Sequence, residues 1–314
     1  MLTDRFTDRT PTVLWTDRPI MPVIQSVLCI LCSVFCILCS SPAHAWDYAS
    51  TQNTDKQAVQ LRVGASYGKK WKNGLGVHLS EDLRFGMVTN STTETASATT
   101  TSLTGPKFNS SFTTLSLSYT HPQFRYLKGE VGYTLKLTNK DTLAVKEIMR
   151  HRAFFSLHGS YRYENWSFGL RERVLTEIRM DDLDQHTATG YYEDNRANWY
   201  LRSKIEVAYH AVSKPLKPYL WCELENTLNA NPLQQYYAAN NTANSGRQYI
   251  RYIRTGIGLT WRLDRRNSLD FSYRFQYGYD RDVNVKPKKQ TIHLTEQRSL
   301  MHLIGISYHF ADKD

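Results

Sequence analysis

The residues of this chain best placed to do chemistry are arginines and carboxylates that recur two apart within otherwise apolar runs. Arg171-Glu172-Arg173, Arg202-Ser203-Lys204-Ile205-Glu206 and Glu223-Leu224-Glu225 are the densest examples. Side chains two apart on an extended strand point to the same face, so such runs gather charge on one side and leave the other apolar. On this parity one face carries Arg62, Arg84, Arg152, Arg162, Arg171, Arg173, Arg202, Lys204, Arg254, Arg262 and Arg274. It also carries Asp82, Glu130, Glu206 and Asp270, and Glu223 with Glu225 join it if Leu220, Cys222 and Leu224 turn the other way. In a low-dielectric interior a guanidinium is stable only beside a carboxylate or in contact with water. Two readings follow. Either the charges form cross-strand ion pairs that fill a small barrel and hold its register, or unpaired arginines line a watery path that favours anions.

Other chemistries find less support. Ser156, His158 and Ser160 share a parity, but residues two apart on a strand lie too far apart for nucleophile–base contact, and no motif marks a third group. No catalytic residue is assigned. No His/Cys/Asp/Glu cluster has ligand spacing, so neither a metal nor a cofactor is expected. The net charge of +10 is dispersed along strands rather than gathered in a patch, which argues against nucleic acid. Lys286, Lys288 and Lys289 would suit lipopolysaccharide phosphates, or stand as solvated loop charge.

The elements that must position these residues read as strands throughout. Residues 59–67 alternate cleanly, Lys69 to Gly74 (KKWKNG) is a hairpin turn, and residues 75–87 return with Val77, Leu79, Leu83 and Phe85 on one face. Glu81 breaks that alternation after Leu79, and Glu172 does the same after Leu170. A bulge or a sheet-end position is expected there, because a glutamate facing lipid at mid-bilayer is costly. Short connections (121–123, 164–165, 213–218, 264–267) alternate with long polar loops (88–110, 181–195, 229–247, 281–296). Short turns on one side and longer loops on the other are the pattern of a transmembrane barrel. Eleven strands are clear, and a bacterial single-chain barrel wants an even number. A short, weak first strand is therefore placed in residues 46–56. The expected fold is all-β: a transmembrane antiparallel up-and-down β-barrel of twelve strands, with ten to fourteen as the bracket.

Composition agrees. Among 314 residues only 41% are hydrophobic, yet there are 20 tyrosines and 7 tryptophans. That suits a barrel in which alternate residues meet lipid and aromatics mark the interfaces. Residues 22–38 are almost wholly apolar and lead to Ala43-His44-Ala45, which reads as a signal peptide over 1–45 and a barrel over 46–314. A transmembrane helix is the alternative for that apolar run, and Met21 is an alternative start. Four of the five cysteines fall in the leader, so the mature chain keeps Cys222 alone. The closing run LMHLIGISYHF puts Ile304, Ile306, Tyr308 and Phe310 on one face and resembles the closing strand of bacterial outer-membrane barrels, although Ala311 to Asp314 follow the phenylalanine; the resemblance implies recognition by the assembly machinery.

Several spaced features resemble the bacterial outer-membrane barrel family labelled domain of unknown function 2490. They are Trp71 in a Lys-rich turn, Leu79-x-Glu81-x-x-Arg84, His151-Arg152, Arg171-x-Arg173, Pro218-Tyr219 with Glu223, Arg254-x-Gly256-x-Gly258 and the tyrosine-rich 273–279 strand. The resemblance implies an outer-membrane barrel without an established activity and supplies no catalytic residues. The expectation is a narrow, anion-preferring channel, with a plugged structural barrel or surface-loop adhesin as the competitor. Expected partners are outer-membrane lipids, lipopolysaccharide and the barrel-assembly machinery, the protein itself being a monomer.

Overall fold

A computed structural model of the protein describes residues 51–94, 98–139, 149–179, 197–210, 215–229, 250–286 and 291–313. The leader, the alternative start at Met21, and Lys288 with Lys289 lie outside these residues. Twelve strands form: β1 Thr51–Lys70, β2 Leu75–Glu94, β3 Thr99–Thr104, β4 Lys107–Thr120, β5 Leu127–Thr138 and β6 Met149–Tyr163, then β7 Trp166–Arg179, β8 Ala197–Tyr209, β9 Leu216–Thr227, β10 Ile250–Arg262, β11 Asn267–Lys286 and β12 Thr291–Lys313. Apart from β3 and β4, which both pair with β2, each strand pairs with its chain neighbour, and β1 pairs with both β2 and β12, so the sheet closes on itself.

The closed wall has eleven positions, with β3 outside the ring. Both β3 and β4 pair with the same edge of β2, β3 against Thr89–Glu94 and β4 against Leu75–Gly86. They behave as one wall position interrupted at Gly105-Pro106, where proline has no N–H to give the ladder. The twelfth strand is thus β3 rather than the separate N-terminal strand expected in 46–56. Residues 51–56 instead begin β1. An up-and-down ring with an odd number of members brings its first and last strands together in the same direction. The seam is accordingly parallel, from Thr51 opposite Leu294 to Lys70 opposite Lys313. All other pairings are antiparallel.

Two loops expected from sequence are shorter than their polarity suggested. β2 continues to Glu94, β11 runs to Lys286 and β12 starts at Thr291. The Thr89–Glu94 extension is made of Ser, Thr, Asn and Glu and carries no apolar face, whereas Val283 with Val285 and Ile292 with Leu294 give the other two only a short apolar alternation among polar residues.

The turn between β1 and β2 is built as its sequence suggests. Gly74 has φ 89°, a conformation that costs L-residues strain, and the Asn73 Oδ1 accepts the Leu75 N–H at 3.1 Å. Outside the sheet lie Leu115, Leu117, Val131, Phe155, Ile205, Leu220 and Ile257, all large and exposed. A continuous apolar outer wall of this kind is the mark of a transmembrane barrel. Aromatics gather near the short turns, with Trp166 against Tyr209 at 5.0 Å.

Candidate functional site: the barrel interior

Alternation puts the charged parity inside. On β9 Leu220 and Cys222 are exposed and Leu224 is half-buried, whereas Glu223 and Glu225 are buried on the inner face. Glu223 accepts from Arg171 at 2.5 Å and from Arg254 at 2.7 Å. Glu225 meets Arg202, Arg254 Nη1 at 3.1 Å and Arg251 Nη1 at 3.8 Å. Arg254 also donates through Nε to Gln276 Oε1 at 2.8 Å. Two buried carboxylates therefore share a cluster of guanidiniums, and each charge offsets the desolvation of the next.

The remaining expected residues form smaller groups. Arg62 pairs with Asp82 across β1 and β2 (2.6 Å), and Arg152 with Glu177 across β6 and β7. Lys204 meets Glu206 at 2.7 Å. Asp270 accepts from Tyr219 at 2.8 Å and from Thr260 at 3.1 Å rather than from a cation. Arg173 donates to Ser156 at 2.6 Å, lies 3.6 Å from Glu130 and stacks 3.8 Å from the Phe154 ring centroid. Arg84 and Arg274 rest on aromatic faces, Phe112 at 4.2 Å and Trp221 at 5.0 Å. Arg162 and Arg262 keep the inward parity but sit exposed at strand ends by the short turns, and the Arg162 Nε donates to the Glu164 carbonyl. Those two are separated from the cluster by their height in the barrel, which parity alone does not encode.

Sequence reasoning missed Glu177, Lys136, Arg251 and Gln276, all of which line the same cavity. Glu177 and Lys136 share the strand parity of residues that were chosen, so the signal was present. Arg251 had none: the register against β9 shifts between Ile250 and Tyr252, and Arg251 lines the cavity beside Tyr252 despite its opposite parity to Arg254.

The irregular glutamates are a correction. No bulge falls at Glu81 or Glu172; the shifts in β2 pairing lie at Val59/Gln60 and Arg84/Phe85. Both carboxylates keep the outward parity, and each is held by a hydroxyl of the next strand, Thr113 to Glu81 at 2.5 Å and Ser203 to Glu172 at 2.7 Å. A neighbouring donor lowers the cost of an outward carboxyl without changing the register.

His158 Nε2 bonds Glu130 Oε2 at 2.7 Å and Ser156 accepts from Arg173, so the sequence's serine and histidine are committed to different partners. On β12, Ile304, Ile306 and Tyr308 are exposed outward, and Phe310 stacks on Tyr67 across the seam with centroids 5.8 Å apart.

Three cavities run through this interior. A volume of about 430 Å³ is bounded by Arg84, Arg152, Arg173, Arg202, Arg254 and Glu225 among others. A second of about 410 Å³ includes Arg62, Asp270, Tyr219 and His309, and a third of about 510 Å³ reaches His158, Lys128 and Lys70 at the short-turn end. Arg171 borders all three. Nine cationic and four anionic side chains line the first, so its wall carries surplus positive charge.

The fold and interior together define a closed β-barrel with an apolar outer wall and a charged inner one. No protein-family model matches the chain, and no curated protein sequence matches it. Among solved structures the chain is similar to a NanC porin in rhombohedral crystal form, at 12% identity over 79% of this chain and 98% of that chain, with a TM-score of 0.36.

Proposed function

We propose that the protein is a narrow, anion-preferring channel of the bacterial outer membrane, acting without enzymatic chemistry and belonging with the family labelled domain of unknown function 2490. The observation that carries this reading is the surplus of cationic over anionic side chains around the first cavity. Arg171 borders this cavity and the other two, which supports a path along the inner wall. A ring of like charge in a narrow, low-dielectric space concentrates counter-ions and excludes co-ions. Outer-membrane lipids meet the exposed apolar wall, lipopolysaccharide meets the loop-end lysines, and the assembly machinery reads Ile304, Ile306, Tyr308 and Phe310. The chain acts as a monomer.

A second reading, the plugged structural barrel, is favoured by the Glu223–Glu225 cluster, because Arg171 is itself tied to Glu223 at the junction of the cavities. Planar-bilayer recording of refolded protein separates the two. Conductance with a reversal potential toward the anion equilibrium value is expected in a salt gradient. Silence would favour the plug, and cation preference would remove the arginines from control of passage.

A further inference from the structure

Two interior guanidiniums differ from the others. Arg62, Arg152, Arg171, Arg202 and Arg254 each have a carboxylate within ion-pair distance. Among the described residues Arg84 and Arg274 have none, and the buried Nε of each has no hydrogen-bond acceptor. Arg84 rests on the Phe112 ring and Arg274 on the Trp221 ring. An aromatic face stabilises the cation but does not accept the Nε–H, which lies in the guanidinium plane. Both residues border the first cavity. Like charges with unused donors, brought together around one space, are the arrangement that a multivalent anion stabilises.

Nearby groups fit the same conclusion. Asp82 borders the cavity, but its carboxylate is engaged by Arg62. Lys136 borders it too and adds a point charge. Planar guanidiniums match carboxylate and phosphate oxygens two at a time. A space of about 430 Å³ takes a phosphate, a phosphate monoester or a small dicarboxylate, not a polymer segment.

We infer that Arg84 and Arg274 form a binding site for a small dianionic oxyanion inside the barrel. The claim that the anion passes through rests on the channel reading; the claim that it binds does not.

Inorganic phosphate titrated into refolded full-length protein at constant ionic strength, followed by tryptophan fluorescence and calorimetry, tests the site with chloride as the control ion. Saturable phosphate binding is expected, weakened about tenfold or more in Arg84→Met and in Arg274→Met. Arg274→Lys keeps the charge without the fork and should fall between. Arg162→Met, at the exposed turn end, should bind as the parent does. Heat-modifiable gel mobility reports whether each variant is folded. Phosphate binding no tighter than chloride, or unchanged in both methionine variants, overturns the site. Saturable binding in a barrel that does not conduct keeps the site and sinks the channel. Anion-selective conductance that phosphate does not block saturably keeps the channel and sinks the site.

Discussion

Glu225 is 1% exposed and its carboxylate is shared by Arg202, Arg254 and Arg251. Neutralising it leaves buried cations without their counter-charge, which is far more costly than losing a solvent-screened pair. Glu225→Gln should lower unfolding free energy by about 3 kcal/mol. Lys204→Gln, whose partner Glu206 has a 36% exposed side chain, should cost less than about 1 kcal/mol. Urea unfolding in lipid vesicles reads both, and equal effects would mean that the interior is wet enough to screen the cluster. At this scale the sequence showed the face a residue takes but not its partner. Arg84 and Arg254 have the same type and the same parity. Only the register sets Arg254 beside Glu223 and Arg84 over Phe112.

Strands and turns explain why particular small residues recur. Gly256 lies opposite Trp221 and Gly258 opposite Tyr219 across β9 and β10, and a Cβ on either would run into the ring. The Arg254-x-Gly256-x-Gly258 spacing was visible in sequence, but the rings that require it lie more than thirty positions away and were not. Gly256→Val should displace Trp221, seen as a shift in tryptophan emission, while Gly129→Val, with open space above it, should leave emission unchanged. On β12 the outward Ile306 faces the apolar side. Ile306→Arg should cost about 2–4 kcal/mol if that side meets the bilayer midplane, and a neutral result in vesicle-refolded protein would place it outside the lipid. In the β10–β11 turn the Asp264 carboxylate accepts from the Asn267 side chain and from the Arg266 and Asn267 N–H groups. The Asn267 side chain, then the backbone donors, hold its carboxyl below the ordinary range. Its contribution is therefore present above the unfolded value of about 3.9 and fades as pH falls through the lower folded value. A carbon-detected titration of this residue should show a midpoint under that ordinary value; an unshifted midpoint would mean that the turn's hydrogen bonds are not held in solution.

For the whole molecule the deciding feature is the seam. Reading strands from alternation recovered eleven wall members, but the expectation of an even count led to an antiparallel partner for the last strand drawn from residues 46–56. Alternation carries no direction, so a parallel and an antiparallel closing pair look alike in sequence. The structure closes β12 on β1 in parallel, with Val63 opposite Ile306 and Leu61 opposite Ile304. Cysteines at both members of such a pair lie within reach of a disulfide, because adjacent strands are about 5 Å apart. With Cys222→Ala removing the one cysteine of the barrel, Val63→Cys with Ile306→Cys should cross-link on mild oxidation and change gel mobility without heat. Shifting one cysteine along β1 discriminates the direction. Tyr67→Cys lies opposite Phe310 in the parallel register, so it should link to Phe310→Cys and not to His302→Cys, which faces Val59. An antiparallel closure that kept Val63 near Ile306 would reverse that preference, bringing Tyr67 toward His302. Linkage to His302→Cys in place of Phe310→Cys would therefore exclude the eleven-member ring and require an even number of wall members.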